Sequence, residues 1–211
     1  MPIAPYITAW SAEQDLPCVL VERADHRIGY ANELLSDRDR HGVLWQQTAL
    51  RHGVGRPEFA RVHPLRQRRA MELLLCQVCG GPADQNDDGV LWLLRDHTDD
   101  WPQWPEGMAS VEPPVCLPCV PVAMRLCPAL RRGAVVVRVR ECPIAGVRGA
   151  LYRQCVLAPA VVTAGNFTYD DPVAGRVLAS ALIRELRGCS VAPFVERDRE
   201  ARPKIATRLG L

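Results

Sequence analysis

Cys76-Gln-Val-Cys79 and Cys116-Leu-Pro-Cys119 constrain this 211-residue chain more than any other stretch. A CxxC turn aims both of its sulfurs into one corner of a tetrahedron, and two such turns complete a four-sulfur shell. A hydrophobic core explains a single buried cysteine. It does not explain two pairs at ligand spacing. The sequence therefore predicts one structural zinc held by Cys76, Cys79, Cys116 and Cys119, with no open position left for water.

The segment between the pairs has an internal order. Gly80-Gly81-Pro82 reads as a turn leaving the first pair, and Gly89 to Leu94 reads as a strand closed by Asp96 and His97. A loop rich in Trp and Pro follows (Trp101, Pro102, Trp104, Pro105). Cys116 and Cys119 then open a helix expected from Pro121 to Leu130 and stopped by Gly133. Knuckle, hairpin and a helix carrying the second ligand pair resemble a treble-clef zinc finger, placed at about residues 74–133.

The layout also resembles the four-cysteine HNH endonucleases, where an Asp-His pair ends the strand between the two CxxC turns. Asp96-His97 occupies that place, seventeen residues after Cys79, and eighteen residues separate His97 from Cys116. The resemblance implies His97 as general base toward a scissile phosphate, with Asp96 beside it. It covers about a quarter of the chain and departs from the family at two points. Pro113-Pro114 stands where the family has Asn-Leu, and no histidine lies between Val120 and Ala123, where the family places a metal ligand. A phosphodiester hydrolase needs a divalent ion as well as a base, so the noncatalytic treble clef is the preferred of the two readings. A zinc deaminase is excluded: its signature pairs H-x-E with P-C-x-x-C, no H-x-E occurs, and the proline here is Pro114, one residue too early.

Hydrophobic residues make up 48% and charged residues 24%, values of an ordinary globular protein. No apolar run approaches the roughly 20 residues of a membrane span, and the N-terminus lacks a basic start and apolar centre. Nine cysteines, four of them at ligand spacing, fit a reducing cytoplasm.

The net charge of +2 is unevenly spread. Residues 51–75 hold six arginines against two acids, residues 84–112 eight acids against Arg95, and residues 125–153 seven arginines against Glu141. Either the oppositely charged segments pack on one another, or the basic flanks form a face for a polyanion. On the second reading Arg66, Arg68, Arg69, Arg131 and Arg132 contact DNA or RNA. Lys204 is the only lysine, so a general arginine bias also contributes to these counts.

Elsewhere, Tyr6–Trp10, Cys18–Glu22 and Arg27–Tyr30 read as short strands, and Leu65 to about Leu75 as a helix. Ala134–Arg140 alternates like a half-buried strand, Gly146-Val-Arg-Gly149 reads as a turn, and Leu151–Leu157 as the returning strand. Asp170-Asp171-Pro172 reads as a helix start, with Val173, Val177, Leu178, Ala181, Leu182 and Leu186 as one apolar stripe before Gly188. The expectation is an α+β fold, with a treble-clef module inside a mixed or antiparallel sheet and a C-terminal amphipathic helix. Residues 1–192 form one domain, and 193–211 a loose charged tail. Three functions remain open: a nucleic-acid binder, an HNH-like nuclease, and a zinc-stapled module for protein contacts.

Overall fold

The computed structural model describes residues 4–153, 155 and 159–192; the tail expected at 193–211 and the end of the strand expected at Leu151–Leu157 lie outside them. Five short strands come first: β1 (Thr8–Trp10), β2 (Leu20–Glu22), β3 (Ile28–Tyr30), β4 (Leu44–Trp45) and β5 (Pro57–Val62). Helix α1 (Pro64–Glu72) leads into the first CxxC turn. Between the two turns lie β6 (Gln85–Asn86), β7 (Gly89–Arg95) and β8 (Ala109–Ser110), and α2 (Val120–Leu126) follows the second. The rest is mostly strand: β9 (Ala134–Glu141), β10 (Ile144–Arg153), β11 (Ala160–Thr168), β12 (Val177–Glu185) and β13 (Arg187–Val191). Strands in several sheets with a few helices make this an α+β fold.

Two sheets carry the architecture. One is antiparallel in the order β13-β9-β7-β6. The other runs β11-β10-β12-β4, with β8 beside β12 and a parallel contact between β12 and β4. The pairs β1-β5 and β2-β3 stand apart from both.

Strand β7 shows why the first sheet sits where it does. Gly89 through Leu94 are all buried, the continuous apolar run of a strand covered on both faces. Side chains alternate: Val90, Trp92 and Leu94 join Val137, Val139, Trp104 and Leu186 on one side. Leu91 and Leu93 join Cys76, Val115, Val120 and Val136 on the other. Each such buried side chain contributes about 1.5–3 kcal/mol. The Trp92 indole N–H donates to the Glu112 carbonyl at 2.9 Å, so its polar end is satisfied. Gly89 is required where the strand begins. Its φ is +112°, and a Cβ there would stand 2.1 Å from the Val139 carbonyl oxygen.

Two expectations for the C-terminal half are corrected. The amphipathic helix expected between Asp170 and Gly188 is a short 3-10 turn, Ala174–Arg176, followed by strand β12. Val177, Ala179 and Leu182 enter one core cluster while Leu178 enters another, so β12 is covered on both sides. A central strand covered in this way gives an apolar run that imitates a helical stripe. Gly146-Val-Arg-Gly149 is not a turn; it lies inside β10. Its glycines allow close approach of neighbouring strands, since a Cβ on Gly149 would stand 2.3 Å from the Leu178 carbonyl oxygen. Helix α2 is also shorter than expected, ending at Leu126 before Cys127-Pro128.

Helix α1 is clamped to this sheet by two polar side chains. Gln67 donates to the Leu182 and Val111 carbonyls and accepts from the Leu182 N–H. Arg184 donates to the Met71 and Glu72 carbonyls, covering the helix C-terminus where unpaired carbonyls and the dipole favour a cation.

Candidate metal centre

Each CxxC turn has a local cause. In the first, the Cys76 N–H donates to the Gly81 carbonyl, the Gly80 N–H to the Cys76 carbonyl, and Gly80 takes φ +75°. The chain thus folds back on itself at once, and the Val78 N–H donates to the Cys76 sulfur at 3.4 Å. In the second, Cys116 is extended, Pro118 sits in a 3-10 turn, and the Cys119 N–H closes on the Cys116 carbonyl at 3.0 Å. Val120 continues directly into α2.

The four sulfurs converge as the spacing predicts, all within 4.8 Å of one another. The Cys79 and Cys116 sulfurs are 3.7 Å apart. A tetrahedron with metal–sulfur bonds of about 2.3 Å has edges of roughly 3.8 Å, so the donor set fits a metal ion. Cys76 is buried, Cys116 and Cys119 are half-buried, and Cys79 is exposed.

The thiols differ electrostatically. Burial pushes Cys116 up to about 11, and burial together with the neighbouring Cys116 and Cys76 sulfurs pushes Cys119 upward as well. Desolvation also opposes ionisation of Cys79, yet hydrogen bonds from the Gly81 N–H and the three other thiols bring it below the ordinary thiol value. Four thiolates in contact require a cation to balance them.

The site is tied to the N-terminus. The Tyr6 N–H donates to the Val78 carbonyl at 2.9 Å, and the Ile7 N–H to the Gln77 carbonyl at 3.3 Å. Gln77 also donates to Pro113 through its side chain and to Pro114 through its backbone, joining the two CxxC segments.

An apolar groove of about 490 Å³ opens beside the cysteines. Val78 of the first turn, Val115 beside the second, and Val122, Ala123 and Leu126 of α2 form much of its wall, to which Pro5 and Phe59 also contribute. Phe59 and Leu126 are 64% and 50% exposed, far above a core residue. Among the described residues, the groove's lining includes no acidic side chain.

The expected arginine face is smaller than the sequence suggests. Arg66 is buried, and both of its terminal nitrogens lie 2.6 Å from the Glu13 carboxylate. Its remaining donors go to the Tyr6 and Thr8 carbonyls, so it is not free to meet a phosphate. Arg68 pairs with Glu72 at 2.9 Å and lies over the Trp45 ring. Arg69, Arg131 and Arg132 remain exposed. Part of the charge alternation is internal, since Arg138 on basic β9 pairs with Asp84 of the acidic segment.

Asp96 and His97 follow β7 directly, as expected, but they do not face each other as an acid and a base would. The Asp96 carboxylate accepts from the Thr98 N–H and hydroxyl, which hold it below the usual carboxylate range. His97 Nδ1 lies 2.7 Å from the Asp100 carboxylate. Neither residue lines the groove.

Sequence reasoning did not find the polar cluster of Glu13, His63 and Arg66. Glu13 and His63 are completely buried, with His63 Nε2 3.7 Å from Glu13. Burial would raise the Glu13 carboxyl, but Arg66 and the Trp10 N–H hold it below its ordinary value. Burial first, and then the Arg66 charge, pushes His63 down. Glu13 lies about fifty residues from His63 and Arg66, and together they form no motif. Phe59 and Pro5 were missed for the same reason. Among the described residues, no helix is long and apolar enough to cross a membrane. No protein-family model, curated protein or solved structure matches the chain.

Proposed function

We infer that this chain is a noncatalytic binding protein in which a zinc ion, held by Cys76, Cys79, Cys116 and Cys119, fixes an apolar groove that receives side chains of a protein partner. One observation carries the reading: the groove wall is built from the immediate neighbours of the metal turns, Val78, Val115, Val122 and Ala123. Tetrahedral four-sulfur sites belong to zinc or iron, and four thiolates leave no position for substrate. The ion would contribute folding energy and balance the thiolates. Knuckle, hairpin and short helix in this order support the treble-clef reading.

The test uses elemental analysis and an apolar fluorescent dye. One zinc per chain is expected, with dye binding that disappears on chelation, in Cys116→Ser, and in Ala123→Glu with its zinc retained. Soluble folded protein without zinc, or dye binding indifferent to Ala123→Glu, would overturn the proposal.

A nucleic-acid reading keeps Arg69, Arg131 and Arg132 as its candidates, favoured by the basic segment at 125–153. It requires retention of DNA or RNA that weakens steeply with salt. No retardation at low salt and micromolar protein removes it. The nuclease reading has less support, because hydrogen bonds within the loop hold Asp96 to Thr98 and His97 to Asp100.

A further inference from the structure

We propose that the partner in the groove is a second copy of this chain, which inserts Trp101 from its Asp96–Trp104 loop. The inference rests on the groove being a binding surface and names its occupant.

The loop offers the chemistry that the groove lacks. Two tryptophans stand three residues apart, and they are used differently. Trp104 is buried with Val90, Trp92 and Leu94 in the chain's own core. Trp101 is 36% exposed and flanked by exposed Asp99 and Asp100. The loop is already held in shape: the Asp100 N–H donates to the His97 carbonyl at 2.9 Å, the Trp104 N–H to the Trp101 carbonyl at 3.1 Å, and Asp100 pairs with His97. An anchor presented on a preformed loop loses little entropy when it binds. Tryptophan is also among the residue types enriched at interface hot spots.

The groove is complementary in both respects. Its volume lies in the range of pockets that hold a drug-sized ligand, so it has room for an indole together with neighbouring side chains. From Val120 to Arg132 the bordering segment carries Arg125, Arg131 and Arg132, all exposed, and no acid. An indole flanked by two carboxylates therefore meets an apolar groove flanked by three guanidinium groups. The chain does not fill the groove with its own loop, since Trp101 is absent from the lining.

Placement favours a reciprocal exchange. The Asp96 N–H donates to the Gly133 carbonyl, and the Gly133 N–H to the carbonyl of Leu130, which lines the groove. Donor loop and receiving groove thus start from one edge of the molecule. A two-fold axis at that edge lets each copy give one Trp101 and receive one, as a closed isologous dimer requires.

Sedimentation velocity on the zinc-loaded full chain, from low to high micromolar concentration, tests this. A concentration-dependent dimer is expected, and Trp101→Ala, which removes an anchor from each copy, should weaken it about a thousand-fold, about thirty-fold for each of the two hot spots. The pair Arg131→Glu and Arg132→Glu should give monomers. Adding Asp99→Arg to the same chain, which leaves the Asp100–His97 pair in place, should restore part of the dimer, because one contact then regains opposite charges. Circular dichroism and zinc content guard against misfolding. A chain that stays monomeric, or a dimer unchanged by Trp101→Ala in folded protein, overturns the inference. A monomer that still shows zinc-dependent dye binding leaves the groove reading intact; loss of dye binding as well removes both.

Discussion

Replacing Arg66 by methionine should reveal how firmly the N-terminal segment is held. The guanidinium makes two bonds to Glu13 and one each to the Tyr6 and Thr8 carbonyls. The Glu13 side chain has no solvent exposure, so the variant leaves a buried carboxylate with only the Trp10 and Arg51 backbone N–H groups as donors. Removing one partner of a buried ion pair costs about 3–5 kcal/mol. A protein of this size loses roughly 2–4 °C of melting temperature per kcal/mol, which gives a fall of about 6–20 °C. Thermal unfolding followed by circular dichroism measures it, with exposed Arg69→Met as a control expected to stay within about 0.5 kcal/mol. Pairing Arg66→Met with Glu13→Leu should recover much of the loss, because no charge then remains buried. A cost below about 1 kcal/mol, the range of an exposed pair, would refute the reasoning and return Arg66 to the list of free arginines.

Acid should destabilise the protein in two stages. His63 and Glu13 both have folded-state values below their unfolded ones, so the unfolded chain binds more protons, and stability present at neutral pH is lost as pH falls. The His63 contribution begins to fade near the ordinary histidine value of about 6.5 and the Glu13 contribution in the carboxylate range; a His63→Gln variant whose melting temperature still falls between pH 7 and 5 as in the wild type would contradict the first stage. Gly89→Ala is expected to cost at least about 1–3 kcal/mol from its positive φ alone, with the clash against Val139 in addition, and a denaturation midpoint equal to wild type would count against this. Supercoiled plasmid with magnesium, manganese or nickel should remain uncut; nicking that vanishes in a folded His97→Ala variant would instead restore the nuclease reading.

What the sequence revealed and what it hid follow from range. The CxxC turns are local, so ligand spacing alone located four sulfurs that the fold brings within 4.8 Å. Strand β7 and helix α1 were also legible, one from its apolar run and the other from His63-Pro64 before a helical stretch. The failure at β12 had a physical cause. Val177, Ala179, Leu182 and Ile183 are buried, but the register shift opposite Arg148 and Gly149 breaks their period of two, so the alternation that marks a strand is lost from the sequence. The arginines misled for a related reason: Arg66 is drawn inward by Glu13, a partner that lies fifty-three residues away. Composition counts charges. It does not say which of them the fold neutralises.

Strand β7 has one more consequence. It brings the cysteines and the Trp92 cluster against opposite faces of a single ribbon, and its partner β9 begins after the segment that contains the four ligands. The N-terminal Tyr6 and Ile7 are tied to the same turn from the other end of the chain. The metal site is therefore not a portable cassette. Residues 74–133 cut out alone would keep every ligand, yet β7 would have lost its longest hydrogen-bonded neighbour. Such a fragment could be transplanted into another protein only together with strands drawn from both sides of it.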